Sequence, residues 1–325
     1  MKQEYYLGID IGGTKSAVIA GTENMEILKR IQFDTNTNKG PDYAISKLLE
    51  TATDVIKQLN DYELISIGIS CGGPLDSKTG IIQSPPNLPG WDNIPICGLF
   101  KYKFNVPVFL QNDANACALA EWKFGAGKGT ENMIFLTFGT GLGAGLILDG
   151  KLYAGTNDLA GEIGHIRLDE DGPEAYGKKG SFEGFCSGAG IARMAQAMVI
   201  EKLEKGESVS FCDSIETVGK ITTKDVAIAA AEGDETAIAA FEKSAKYLGI
   251  GLSILIDVLN PQRIVIGSVY ARNPHLFDAV CNSVIEREAL EPAWKVCKIV
   301  PAELGDKVGD FASLSVAIDG INRTN

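Results

Sequence analysis

Asn112–Asp113 stands where an apolar strand, Val106–Gln111, hands over to an alanine-rich helical stretch, Asp113–Phe124. A carboxylate there can reach past the strand end. Phosphoryl transfer to an alcohol needs such a base near the attacking hydroxyl, together with an electrostatic cradle for the phosphates. The same position also suits a helix N-cap, and the two roles can coexist. Two cradles are on offer. In the first, Asp10 precedes Gly12–Gly13–Thr14–Lys15. Its glycines let backbone N–H groups approach phosphate oxygens, and Asp10 can hold Mg²⁺ directly or through water. The second is Gly139–Ala144, GTGLGA. It matches the dinucleotide fingerprint by letter, but that fingerprint needs a helix directly behind it. The adjoining stretch, GLILDGKLYAG, reads as a strand and a hairpin turn at Asp149–Gly150, so the dehydrogenase reading fails. Gly145–Leu152 fails as a P-loop, because Leu152 occupies the place of the magnesium-binding Ser or Thr. Either hairpin alone is an ordinary tight turn; the pair, with Asp10, reads as two phosphate loops. GEIGH at Gly161–His165 sets Glu162 and His165 three residues apart, with no further ligands nearby at metal-binding spacing. His275, the other histidine, lacks a polar cluster and reads as a surface residue.

These residues need elements to hold them. Tyr5–Ile11 and Ser16–Gly21 read as strands flanking Gly12–Gly13, with Met25–Asp34 as a third. Ala44–Leu59 has helical apolar spacing, and Leu64–Ser70 is a short apolar strand. A breaker-rich loop with four prolines, Gly72–Gly90, leads to a short helix over Trp91–Phe104. Asn132–Phe138 and Gly143–Leu148 are strands. Beyond Phe185 the pattern is mostly helical. Thr236–Leu259 is the longest helix, stopped by Asn260–Pro261; Arg263–Gly267 is a buried strand, and Asp310–Ile321 a last helix. YYLGIDIGGTKSAVIAG and MIFLTFGTGLGAGLILDG share one plan, which suggests a duplicated unit with one phosphate loop in each half.

The chain of 325 residues is long enough for two domains and a large core. A formal net charge of -12 argues against nucleic acid as a partner, though not against a nucleotide. No signal peptide and no membrane span are read from the sequence, which places the protein in the cytoplasm. Seven scattered cysteines without a CxxC pair fit reduced thiols, with Cys71 and Cys117 in the core.

LGIDIGGTK, CGGPLD, NLPGW, QNDANACALAEW, FGTGLGAGLILDGKLYAG and AGEIGH together resemble the ROK family of sugar kinases and sugar-responsive repressors. The resemblance is strong from about Leu7 to Glu183 and thinner beyond. It implies an α/β fold of the actin-like ATPase superfold, with two ribonuclease-H-like domains and a cleft between them. The implied division is 1–111 plus 308–325 for the smaller domain and 112–307 for the larger. The activity implied is transfer of the γ-phosphoryl of ATP to a hexose, glucose first, with GlcNAc, ManNAc or fructose as competitors. A weakly catalytic sugar-sensing regulator is the alternative of another class. The repressors' N-terminal helix-turn-helix has no room before Tyr5, which favours the kinase branch.

By the same resemblance Asp113 is the base, and Gly73, Asn87, Asn112, Asp113, Glu162, His165 and Glu183 bind the sugar. Asp10, Gly12, Gly13, Thr14, Lys15, Thr140 and Gly141 surround the phosphates and Mg²⁺, and Gly267 approaches the adenosine. A homodimer or homotetramer is implied. Two departures stand out. Ser268 and Val269 come after Gly267 where the family has glycines. The family's zinc motif, CxCGxxGCxE, reads Glu174, Tyr176, Gly177, Gly180, Ser181, Glu183, so no zinc is expected. Tyr176 is the expected substitute, with Lys178 and Lys179 pairing with nearby carboxylates.

Overall fold

The computed structural model describes residues 2–324. The chain opens with β1 (Gln3–Ile11), β2 (Lys15–Gly21), β3 (Ile27–Asp34), α1 (Pro41–Gln58) and β4 (Tyr62–Cys71). Two short strands, β5 (Leu75–Asp76) and β6 (Ile81–Ile82), precede α2 (Ile96–Phe104), β7 (Val108–Asn112) and α3 (Asp113–Phe124). Then come β8 (Met133–Leu136), β9 (Ala144–Leu148), β10 (Lys151–Tyr153) and the small strands β11 (Glu174–Ala175) and β12 (Lys178–Lys179). Helices dominate the rest: α4 (Phe182–Phe185), α5 (Gly188–Glu204), α6 (Thr223–Ala231) and α7 (Glu235–Leu259). After β13 (Arg263–Ile266) come α8 (Ser268–Arg272), α9 (Asp278–Glu288), α10 (Glu291–Trp294), β14 (Lys298–Pro301) and α11 (Val308–Thr324).

Two compact units result. The first takes the chain up to Gly129, Gly145–Ala160 and everything from Glu303 on; the second takes Thr130–Ala144 and Gly161–Ala302. By packing, α3 and the β9–β10 hairpin thus go with the first unit, whereas the division expected at 111/112 put them with the larger domain. The first unit is built on a mixed sheet ordered β3-β2-β1-β4-β7. β1, β2 and β3 pair antiparallel; β1, β4 and β7 run parallel. Strand alternation sends Tyr5, Leu7, Ile9 and Ile11 into a core with Leu48, Val55 and Phe100 from α1 and α2. The opposite face packs on Leu314, Ala317 and Ile318 of α11. Glycine permits that close approach: a Cβ at Gly68 would lie 2.3 Å from the Ala317 nitrogen.

The second unit carries three parallel strands, β8, β13 and β14, and a helical layer led by α7. α7 begins at Asp234, whose carboxylate accepts the Thr236 and Ala237 N–H groups. It ends at Asn260 in the left-handed region, ahead of Pro261, as the breaker pair suggested. The helix expected from Trp91 starts only at Ile96. Pro95 biases its predecessor towards extended backbone, and residues 91–95 run on as loop with Trp91 fully buried. Among the described residues no helix is long and apolar enough to cross a membrane.

Candidate active site

In the first unit the chemistry gathers at the carboxyl ends of three adjacent parallel strands. Register places Asp10 of β1 beside Ser70 of β4, and Cys71 of β4 beside Asn112 of β7. Open α/β sheets bind ligands at such strand ends. Asn112 caps α3, its side-chain oxygen accepting the Asn115 N–H at 2.7 Å. Asp113 is thereby relieved of the cap; its Oδ1 takes the adjacent Ala114 N–H at 2.8 Å. Asp113 is exposed by accessible surface, yet the protein mass around it raises its carboxyl above the usual range, against the pull of that N–H. Asp10 is half-buried; burial first, then the charges of Asp310 and Asp113, push it up to about 7, with Arg30 opposing. Arg30 itself grips Asp310, Nε lying 2.9 and 2.7 Å from the two oxygens. Among the described residues no group of three or more carboxylate, imidazole or thiol side chains stands together as a metal site, so Asp10 is the one oxygen donor read here for a hard cation.

The β1–β2 turn is clamped from behind. Thr35, fully buried just past β3, donates its hydroxyl to the Gly12 carbonyl at 2.6 Å and its N–H to the Thr14 carbonyl at 2.9 Å. The Gly12 N–H closes the turn onto the Lys15 carbonyl at 3.1 Å. Asn87 leans on this turn: a Cβ at Gly13 would meet its carbonyl at 2.6 Å, and one at Gly72, next to Gly73, its Oδ1 at 3.1 Å. The first unit thus brings Asp10, Gly12, Gly13, Thr14, Lys15, Gly73, Asn87, Asn112 and Asp113 into one neighbourhood. Thr35 and Asp310 join it without having been read from the sequence as site residues; Thr35 acts through strand pairing, and Asp310 lies in the first turn of the distant α11.

The second unit assembles the remaining residues into a cluster of its own. The GTGLGA turn closes on itself, the Thr137 N–H donating to the Gly143 carbonyl at 3.0 Å and the Gly139 N–H to the Gly141 carbonyl at 3.1 Å. Glu183, in the first turn of α4, accepts the Leu142 N–H at 2.8 Å. A Cβ on Gly141 would lie 2.6 Å from the same carboxylate. The GEIGH turn packs beneath, for a Cβ on Gly164 would meet the Leu142 carbonyl at 2.2 Å and the Glu183 Cβ at 3.2 Å. Thr140, Gly141, Glu162, His165 and Glu183 therefore share one locked corner. Gly267 reaches it too: its N–H bonds the Leu136 carbonyl at 2.9 Å, and Ser268 Oγ stands 3.6 Å from where a Gly139 Cβ would be. Ser268 has φ 49°, the left-handed conformation that favours glycine.

The sequence from 6 to 319 matches the model of the ROK family. The chain belongs to the ROK family. A glucokinase from Halalkalibacterium halodurans is 35% identical over 274 residues, 82% of this chain and 81% of the relative. A xylose repressor from Caldicellulosiruptor bescii is 30% identical over 319 residues, 96% of this chain and 77% of the relative. Among solved structures, a ROK family glucokinase from Streptomyces griseus in complex with glucose and AMPPNP superposes with a TM-score of 0.75 at 28% identity, covering 97% of this chain and all of that one (100%). The ROK fold, an actin-like α/β architecture, is the one this chain adopts.

This ROK chain departs from the resemblance around its missing zinc motif. β11 and β12 form a hairpin whose two-residue turn, Tyr176–Gly177, has φ 54° and 64°. Positive φ at both central positions marks a type I′ turn, which suits the twist of paired strands. The Tyr176 ring lies 5.8 Å from the His165 ring, centroid to centroid. Lys178 turns to His165 instead of the carboxylate partner expected for it, because the hairpin sets its ammonium over the GEIGH turn. Cys186, the nearest thiol along the chain, is fully buried, its Sγ 3.4 Å from the Ser244 carbonyl.

Proposed function

We propose that this ATP-dependent sugar kinase of the ROK family transfers the γ-phosphoryl group of ATP to a hydroxyl of a free hexose, with glucose the preferred acceptor. The observation that carries the reading is Asp113 standing uncommitted to the helix cap at the end of β7, beside Asp10 and the clamped β1–β2 turn. Asp113 takes the proton of the attacking hydroxyl; Asn87, Asn112, Glu162, His165, Glu183 and the backbone at Gly73 orient the sugar. The glycine turns at Gly12–Lys15 and Thr140–Gly141 supply backbone N–H groups to the phosphates, and Gly267 borders the adenosine. Mg²⁺ held by Asp10, directly or through water, would neutralise charge on the phosphates.

The names of the glucokinase relatives support glucose over N-acetylhexosamines or fructose. We also place the enzyme in the cytoplasm as a homodimer or homotetramer. The Tyr176–Lys178 hairpin supports a site that works without zinc: elemental analysis should find no stoichiometric zinc, and one tightly bound zinc per chain would overturn that. A sugar-sensing regulator is the second reading, favoured by the repressor among the relatives. The deciding experiment measures ATP consumption over glucose, GlcNAc, ManNAc, fructose and xylose. Glucose-dependent ADP release supports the proposal; sugar binding without turnover on any member of the panel favours the sensor.

A further inference from the structure

His165 is one of two histidines in the chain, and its surroundings select one of its two neutral forms. His165 is exposed, and the Tyr176 ring of the β11–β12 hairpin stands 5.8 Å from its ring, centroid to centroid. Lys178 Nζ lies 3.2 Å from His165 Nδ1 and also donates to the His165 main-chain carbonyl. An ammonium has donors only, so the ring nitrogen that faces it must accept. A neutral imidazole accepting at one nitrogen carries its proton on the other. The lysine itself is not free to wander. The tight turn at Tyr176–Gly177 sets it directly opposite the buried Ala175, on a strand pair just two residues long on each side. Further along, the chain is anchored by the Leu168 N–H to the Gly180 carbonyl at 2.8 Å and the Phe182 N–H to the Ile166 carbonyl at 2.7 Å. The Tyr176 ring, at 56° to the imidazole, limits how far that ring can turn.

We propose that Lys178 is a positioning residue: seated on Nδ1 and on the carbonyl of His165, it fixes the Nε2–H form and presents that N–H as a hydrogen-bond donor to a sugar hydroxyl. The role in sugar binding rests on the function proposed above; the ring's protonation pattern does not. His165 then discriminates, since it can offer a hydroxyl oxygen a donor and nothing else. An acceptor at this position would be lost to the ligand. Lys178 never touches the substrate, and its effect passes through the imidazole.

The test reads the ring directly. With histidine labelled in ¹⁵N and His275→Gln removing the second signal, long-range proton–nitrogen correlation near pH 8 should show a protonated Nε2 and an unprotonated Nδ1. Lys178→Met should give a mixture of the two forms, and Lys178→Arg, which keeps donors, should restore the single form. In steady state Lys178→Met should raise KM for the sugar about five- to tenfold, the scale of one weakened hydrogen bond, with KM for ATP unchanged. A parent ring protonated on Nδ1, or a pattern indifferent to Lys178→Met, overturns the proposal. Equal rises in both KM values would mean that the lysine only braces the hairpin, and would overturn it as well. If no sugar in the panel is phosphorylated, the functional reading fails while the nitrogen spectrum still decides the tautomer.

Discussion

At the scale of single residues, Asp113 is separated from the helix-capping role that its position alone would suggest. Asn112 makes the cap, so Asp113 can be altered with little harm to α3. Asp113→Asn should keep the fold and sugar binding by calorimetry, while kcat drops by about 10²–10⁴, the usual cost of losing a positioned general base. Near-normal kcat would end its assignment as base. The pH response comes from the direction of its shift. Burial raises its carboxyl, so the acid limb of kcat/KM should lie above the ordinary carboxylate range, as a base works only when ionised. For stability the sign runs the other way. A carboxyl whose folded pKa exceeds its unfolded one contributes fully below the unfolded pKa, and that contribution is lost as pH rises through the folded value. Asp113→Asn should therefore melt higher than the parent at neutral pH and equal to it in acid; a lower melting temperature at pH 7 would contradict the shift. Asp113 and Asp10 were legible in the sequence because strand ends and glycine turns are local signals. Lys178 was legible only as a charge near the missing zinc motif, since its partner depends on how a two-residue turn folds back.

At the scale of elements, the β1–β2 hairpin shows what local patterning leaves out. The turn glycines, both strands and Asp10 could be read directly, and the strand bounds moved by no more than two residues. What keeps the turn in shape is Thr35, beyond the next strand, and that depends on the antiparallel register that sets Lys15 against Asp34. Thr35→Val preserves shape and burial but removes the hydroxyl from the Gly12 carbonyl and from Ser16 Oγ, 2.9 Å away. Leaving a buried acceptor unmade costs about 1–3 kcal/mol. Urea denaturation should show that loss, and KM for ATP should rise more than KM for the sugar, because the clamp serves the phosphate turn. Selective damage to sugar binding would mean that Thr35 supports the Asn87 side instead. The same limit explains α2: its apolar run was legible, but Pro95 decides where helix can begin, so Trp91 went to the core as a loop residue.

At the scale of the whole molecule, the chain leaves the first unit after Gly129, comes back for Gly145–Ala160 and returns for good at Glu303, and one side chain holds the segments on either side of this excursion. Glu121 of α3 is fully buried. Its Oε2 accepts the Ala126 N–H at 2.9 Å and the Glu303 N–H at 3.3 Å, and its Oε1 accepts the Leu304 N–H at 2.9 Å. Partners up to 183 positions away put this role of Glu121 out of reach of local sequence patterns. α3 starts at Asp113, and the returning segment runs on to Asp310, which bears on Asp10. The carboxylate thus links the helix that starts at the proposed base to the segment that leads to the neighbourhood of the proposed cation. Glu121→Gln is nearly isosteric, but an amide has one acceptor oxygen and a donor nitrogen, so it must leave at least one of these N–H groups facing another donor. An unsatisfied buried group of this kind costs about 1–3 kcal/mol, and more where a charge was the partner. The variant should unfold at lower urea, with kcat reduced and KM for both substrates little changed, since the binding loops themselves are untouched. Glu121→Ala, which leaves all three N–H groups without their acceptor, should be worse on both counts. If Glu121→Gln matches the parent in urea midpoint and in kcat, the carboxylate is a buried bystander and the coupling through α3 falls.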